Sequence, residues 1–331
     1  MTSTLRLKMT PAPQPGADSA RRCPACDAAA PLAAETLVLA DQHASYAAGN
    51  TITLAALDAA WTLPQSCYQM LRCRGCALEF ADPPVAPTAD WYGALYGAAN
   101  LYPAERWEYG VVLRALQASD TVLDHGCGSG HFLSLAAPRV QRAIGVDFST
   151  PGVAAVQQRG LEAHHAPAEA PPGLLRQRLS APVSQVTAFH VLEHLPQPDD
   201  LFALARSVGT GDVQLWVAVP SDRRASRLHG EADALDAPPH HLTRWNSASL
   251  VVLGNRCGWQ LQALHYEPLS WPLQVWEAGR RSPAVALFDA WPRPLRRVLS
   301  RAAALSVWAS GWHRMHGASG SSMLARYTLK H

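Results

Sequence analysis

The run Val122-Leu123-Asp124-His125-Gly126-Cys127-Gly128-Ser129-Gly130 constrains this chain more than any other stretch. An apolar strand ends in an acid and passes directly into three alternate glycines. Without Cβ atoms at Gly126, Gly128 and Gly130, the backbone can approach a ligand closely and adopt dihedrals closed to other residues. A second apolar run, Ala143 to Val146, ends in Asp147, about where a second strand's acid meets a ribose hydroxyl pair. The two features together describe a cofactor pocket.

A dinucleotide fingerprint would place a glycine where this chain has His131, since that third glycine allows tight helix–strand packing. The loop instead resembles motif I of class I S-adenosylmethionine (SAM) methyltransferases. The resemblance continues in Phe189-His190-Val191-Leu192-Glu193-His194-Leu195, similar to that family's segment after the fourth strand, and in Val219-Pro220-Ser221, similar to the end of its fifth. Leu235-Asp236-Ala237-Pro238-Pro239-His240-His241-Leu242 is similar to the pre-helix loop of one subgroup, which includes deoxysugar C-methyltransferases and many enzymes of natural-product and surface-polysaccharide clusters.

The resemblance implies a cofactor set of Asp124, Gly126, Cys127, Gly128, Gly130, Asp147, Phe148 and His190. Asp124 should orient the loop and meet the methionine ammonium, Asp147 should accept from both ribose hydroxyls, and Phe148 should cover adenine. The acid expected after the third strand is displaced, and Glu169 is the substitute. Methyl transfer from a sulfonium is an in-line displacement, so the protein must align donor and acceptor and, where needed, remove a proton. His240, His194 and His190 are the candidate catalytic residues, because an unperturbed imidazole titrates near operating pH; His241 lies beside them. His240 leads, on its match to the subgroup's Pro-x-His loop. Each of these histidines can equally serve as a loop-ordering hydrogen-bonding group.

His190 to His194 also spells H-x-x-E-H, the inverted zincin pattern, but that motif needs a helix and here a predicted strand ends at His190. The same stretch is similar to the E-x-x-E-H segment of ubiquinone-pathway O-methyltransferases, in which acids and a histidine hold a divalent metal; His190 replaces the first acid. No Asn-Pro-Pro-Tyr follows the fourth strand, which argues against amino groups of nucleobases or glutamine as acceptors.

Four of the seven cysteines form two C-x-x-C pairs, Cys23 with Cys26 and Cys73 with Cys76. Two such knuckles can present four thiolates tetrahedrally to a structural Zn²⁺. The segment between them alternates modestly, as in Thr51-Ile52-Thr53-Leu54, and predicts strands completing a ribbon-like module. The second knuckle, the proline-rich break Asp82 to Pro87 and a tyrosine-rich helix (Trp91, Tyr92, Tyr96) also resemble the N-terminus of the same subgroup.

From residue 111 the pattern alternates strands at 121–125, 142–147, 161–165, 184–189, 213–219 and 259–266 with helices from 130 and at 150–159, 197–208 and 247–257. Alternating βα units imply an α/β fold with a parallel sheet, and the resemblance adds an antiparallel last strand, Met323 to Leu329. The expected organisation is a disordered tail at 1–20, a zinc-binding module at 21–82, a linker and helix at 83–110, and a Rossmann-like SAM methyltransferase domain at 111–331. Within it, 271–317 carries five Trp and seven Arg, and a helix from Leu295 would show one apolar stripe flanked by Arg297 and Arg301. Such a face suits a lid, a dimer contact, or peripheral contact with a membrane or lipid-linked acceptor.

A net charge of +2 weighs against general nucleic-acid binding, and no apolar run reaches the roughly 18 residues of a membrane span. The expectation is a cytoplasmic enzyme, with SAM as cofactor and structural zinc, methylating a hydroxyl or activated carbon of a small metabolite such as a sugar or polyketide. Two alternatives are an RNA-modifying methyltransferase using the zinc module and a non-catalytic SAM-binding scaffold.

Overall fold

The computed structural model describes residues 21–49, 52–98, 105–167, 175–177, 179–230, 233–270 and 317–330, with isolated positions between 302 and 309. The 1–20 tail, Glu169 and almost all of the Trp- and Arg-rich 271–317 segment lie outside them.

The first elements are β1 (Leu32–Val38), α1 (Leu39–Gly49), α2 (Leu54–Ala60), β2 (Cys67–Arg72), β3 (Glu79–Asp82), α3 (Ala89–Ala98) and α4 (Trp107–Ala115). The chain continues through β4 (Thr121–His125), α5 (His131–Ala136), β5 (Arg142–Asp147), α6 (Thr150–Gln158), β6 (Glu162–His165), β7 (Val183–Phe189), α7 (Asp199–Val208) and β8 (Gly209–Pro220). It closes with β9 (Thr243–Arg244), α8 (Ser247–Arg256), β10 (Trp259–Tyr266) and β11 (Ser322–Leu329).

Seven strands form one sheet in the order β10-β11-β8-β7-β4-β5-β6. β4, β5, β6, β7 and β8 pair in parallel, and β11 runs antiparallel to both β8 and β10. The strands found coincide with those expected to within a few residues, and the last is antiparallel as expected. The central strands are fully buried on both faces, as at Val122, Leu123, Val186, Val217 and Val219. That burial explains why they read as continuous apolar runs rather than alternating ones.

The helices that face the sheet start where local chemistry dictates. Ser149 caps α6 by accepting from the N–H of Gly152, with a proline in the first turn. Asn246 and Ser249 form a reciprocal capping box on α8. Helix α7 buries Leu201, Phe202, Ala205 and Val208 on one face, with Asp199 and Asp200 at its positive end and Arg206 at its negative end.

The second sheet is small and antiparallel, in the order β1-β2-β3-β9. The expectation of strands between the two cysteine knuckles holds for β1 and β2, which pair with each other, and needs correction for the stretch around Thr51–Leu54. After β1 the chain forms helices α1 and α2, and Thr53, read as part of an alternating strand, is the N-cap of α2, accepting from the N–H of Ala56. Short-range alternation at Ile52–Leu54 gave way to capping and to burial of Ile52, Leu57 and Tyr46 against Trp91 of α3. Helix α4 begins at Trp107, within the expected linker-and-helix segment at 83–110.

Candidate active site

The chain crosses from β4 outward to β5 and β6 and then returns to β7, so the carboxyl ends of β4 and β7 form the switch point where α/β sheets bind ligands. A cavity of about 650 Å³ lies there, and its lining includes Asp124, Gly126, Gly128, Asp147, Phe148 and His190.

The glycine loop is shaped by its dihedrals and by what stands over it. Gly126, Gly128 and Gly130 have φ of 74°, 51° and 78°. A Cβ on Gly126 would lie 2.4 Å from Val191 Cγ2, and one on Gly130 would lie 2.7 Å from Val156 Cγ2. The missing Cβ atoms therefore admit both the left-handed backbone and the close approach of neighbouring side chains. Asp147 holds the loop from β5: its Oδ2 accepts from the Gly128 N–H at 2.8 Å and its Oδ1 from the Ser149 N–H at 2.7 Å. Each of these oxygens keeps a second lone pair, so the carboxylate fits a cis-diol while serving the loop.

Asp124 is buried, and its Oδ1 accepts from the Thr187 hydroxyl at 2.7 Å. Burial pushes its carboxyl up to about 7. Cys127 lines the cavity as part of the loop, but its thiol is 8% exposed and packs with Leu133, Val153 and Val156. Burial pushes that thiol up, which makes it a packing group rather than a nucleophile. Phe148 borders the cavity beside Tyr92, with ring centroids 5.7 Å apart. His125, which the sequence reading passed over, is half-buried in the same wall, with a pKa drawn down to about 4 by desolvation.

The four histidines lie near one another but in different chemical states. His190 sits just after β7 with φ of 55°, its Nε2 donating to Glu108 Oε1 at 3.0 Å and its Nδ1 to Glu193 Oε1 at 3.2 Å. Burial disfavours its charged form, yet the two carboxylates outweigh that and raise its pKa to about 9. With both nitrogens donating, the ring is an imidazolium and cannot take a proton. Glu108, 2% exposed on α4, is the group that sequence reading missed; a lone acid inside Trp107-Glu108-Tyr109-Gly110-Val111-Val112 was its signal.

The other three histidines are neutral. His194 donates from Nδ1 to the His240 carbonyl at 2.6 Å, His240 from Nδ1 to the Leu235 carbonyl at 2.7 Å, and His241 from Nδ1 to Asp236 Oδ1 at 3.3 Å. Burial lowers all three pKa values, that of His240 to about 4. The Nε2 of His240 faces the Tyr96 hydroxyl at 2.8 Å, where it accepts the phenol proton. Tyr96 and His240 both line the cavity.

The loop bearing His240 is tied to the cysteine knuckles. β9 pairs with β3 through Phe80–Thr243 and Glu79–Arg244, and Asn246 Nδ2 donates to the Cys76 carbonyl at 3.1 Å. Arg244 also joins Glu79 at 3.2 Å to Asp236 at 3.4 Å. The four expected sulfurs do converge: Cys23 lies 3.6 Å from Cys76 and Cys26 lies 3.4 Å from Cys73, Sγ to Sγ. A ZnS₄ tetrahedron with bonds of about 2.3 Å has edges of about 3.8 Å, so the cluster is suited to Zn²⁺. The N–H groups of Gly75 and Cys76 point at Cys73 Sγ, at 3.3 and 3.5 Å.

Residues 104–264 match the family described as "Methyltransferase domain". No curated protein matches the sequence. Among solved structures, the chain is similar to one from the complex between the Haloferax volcanii Trm112 methyltransferase activator and a putative methyltransferase. That likeness has 19% identity and a TM-score of 0.44, over 68% of this chain and 90% of that one. It is also similar to a SAM-dependent methyltransferase from Archaeoglobus fulgidus (15% identity, TM-score 0.43, 66% and 94% covered). A third is the cyclopropane synthase MmaA2 from Mycobacterium tuberculosis (17%, 0.39, 67% and 82%). At such identities and TM-scores these likenesses carry no conclusion about this chain's substrate. Among the described residues, no helix is long and apolar enough to cross a membrane. The family match over 104–264 spans the glycine loop and the switch point of the sheet, so this stretch carries a methyltransferase domain.

Proposed function

We propose that this enzyme transfers the methyl group of SAM to a hydroxyl or activated carbon of a small metabolite of the sugar or polyketide kind, and that one Zn²⁺ on Cys23, Cys26, Cys73 and Cys76 braces the loop that meets the acceptor. The observation that carries the reading is one continuous cavity with the Asp147-held glycine loop on one side and the Tyr96–His240 pair on the other. Bound SAM supplies an electrophilic methyl on a sulfonium. The chain's part is to hold and align.

In this reading Asp147 accepts from the ribose hydroxyls, Gly126, Cys127, Gly128 and Gly130 run under the methionine and ribose, and Phe148 flanks adenine. Asp124 orients the loop. His190, fixed as a cation by Glu108 and Glu193, stiffens the turn after β7 on the cofactor side. Tyr96, whose proton is held by His240, meets the acceptor; a proton leaving an acceptor hydroxyl passes to the Tyr96 oxygen as Tyr96 passes its own to His240 Nε2. We take residues 21–82 as the zinc-binding module and 111–331 as the catalytic domain.

Calorimetry with SAM and its demethylated product tests the cofactor half. Asp147→Ala and Gly128→Val should each abolish most binding, the valine by filling the space that the backbone leaves. Unchanged affinity in both variants refutes the pocket. For the acceptor half, nucleotide-sugars and polyketide intermediates are screened for methyl incorporation. His240→Ala should then lower turnover by roughly 10²–10⁴-fold with SAM affinity retained. Normal turnover in that variant refutes the Tyr96–His240 role.

A further inference from the structure

We infer that His194, His240 and His241 form a second metal site, distinct from the four cysteines, that takes a first-row divalent cation of the Zn²⁺ or Co²⁺ kind at the acceptor end of the cavity. One ring nitrogen from each lies within 4.8 Å of those of the other two. Their ring centroids are 4.4 to 4.8 Å apart. All three line the same cavity.

The second partners of the rings give this cluster its meaning. A metal-binding histidine characteristically donates its other ring N–H to a backbone carbonyl or a carboxylate, which fixes tautomer and orientation. Each of the three does so here: His194 to the His240 carbonyl, His240 to the Leu235 carbonyl and His241 to Asp236. The proton is thereby on Nδ1 in every case, and the three Nε2 atoms carry lone pairs. The three rings meet in one cavity wall and bring no proton of their own to these lone pairs, that of His240 being met by the Tyr96 hydroxyl. A cation is what satisfies them jointly, and three imidazoles suit zinc and its neighbours over magnesium or calcium.

Two oxygens complete the set. The Tyr96 hydroxyl lies 2.8 Å from His240 Nε2, near the separation of adjacent ligands on one metal. Glu193 is fully buried, its Oε1 lies 3.9 Å from His241 Nε2, and its Oε2 has no hydrogen-bond partner among the described residues. The set shares Glu193 and His194 with the His190–His194 segment but not His190, which spends both nitrogens on Glu108 and Glu193. A cation at this place would lower the pKa of an acceptor hydroxyl. The inference rests on the methyl-transfer reading for what else occupies the cavity, and with the cation bound it replaces the Tyr96-to-His240 proton step, since a metal-bound ring nitrogen cannot accept a proton.

Titration of the metal-free, thiol-reduced full chain with Co²⁺ separates the two sites. Binding at the cysteines gives thiolate-to-cobalt charge-transfer absorption; binding at the histidines gives d–d bands without it. Two tight equivalents are expected for the unaltered chain. The double variant His194→Gln/His241→Gln should bind one, with the thiolate band and SAM affinity retained as evidence of folding. Zn²⁺ calorimetry should repeat this stoichiometry. Saturation of the unaltered chain at one equivalent, with SAM bound normally, overturns the site and leaves the methyl-transfer reading standing, the histidines then being a loop lock. Persistence of the second equivalent in the double variant also overturns it. A second equivalent that disappears in the double variant, in a chain that never binds SAM, supports the metal site and refutes the methyl-transfer reading alone.

Discussion

Replacing Gly126 with alanine tests the shape of the loop by a cost that divides into two measurable parts. The backbone there has φ of 74°, and a left-handed residue with a Cβ costs about 1–2 kcal/mol. The added Cβ would also lie 2.4 Å from Val191 Cγ2, closer than any relaxed contact, and overpacking of this kind costs about 1–3 kcal/mol. Together these predict a loss of about 2–5 kcal/mol. Gly160 provides the control, because it has the same φ of 74° with nothing within 4 Å of its would-be Cβ. Gly160→Ala should show the conformational part alone. Urea unfolding of the two variants, followed by tryptophan fluorescence, gives the difference directly. Val191→Ala in the Gly126→Ala background removes the clashing methyl groups and should recover much of the steric part, read against Val191→Ala alone as a double-mutant cycle. Equal costs for Gly126→Ala and Gly160→Ala, or no coupling to Val191, would refute the claim that the turn after β7 is packed onto the loop.

The Glu108–His190–Glu193 cluster should make stability depend on pH. His190 rises from 6.5 to about 9 on folding, so its contribution is complete below about 6.5 and is lost as pH climbs through 9; at about 1.4 kcal/mol per unit it is on the order of 3 kcal/mol. Burial pushes Glu108 up, but its bond to His190 outweighs this and leaves it lowered, so its contribution is lost at the acid end instead. Urea midpoints measured from pH 6 to 10 should fall in the unaltered chain and stay flatter in His190→Gln; parallel curves would contradict the cluster. For the cysteine site, Cys76→Ser should remove one zinc ion per chain. Because β3 carries β9, it should also speed amide exchange at Thr243 and Trp245 more than at Val122 and Leu123. Uniform exchange changes would break the proposed link between metal and acceptor loop.

Much of this architecture was readable before any coordinates. Each strand of the large sheet is a local apolar run closed by a turn or a glycine, and local runs need no partner to be recognised. Gly126, Gly128 and Gly130 were legible for the same reason: a loop that bends into left-handed dihedrals at a strand end must write its glycines close together. The two C-x-x-C pairs announced their meeting through spacing alone. The helices between the knuckles were not legible, because Ile52 and Leu57 are buried by Trp91 and Tyr92, whose position depends on the packing of α3.

The chemical states of the histidines belong wholly to the tertiary structure. A histidine in a sequence is a titratable group near neutrality and nothing more. Glu108, 82 residues before His190, makes that ring a cation; Tyr96, 144 residues before His240, takes up that ring's lone pair. Sequence fixed which side chains are available at the carboxyl edge of the sheet, since strand ends are local. Which of them hold protons was decided by burial and by partners from distant elements, because electrostatic energy depends on distance through space and not along the chain.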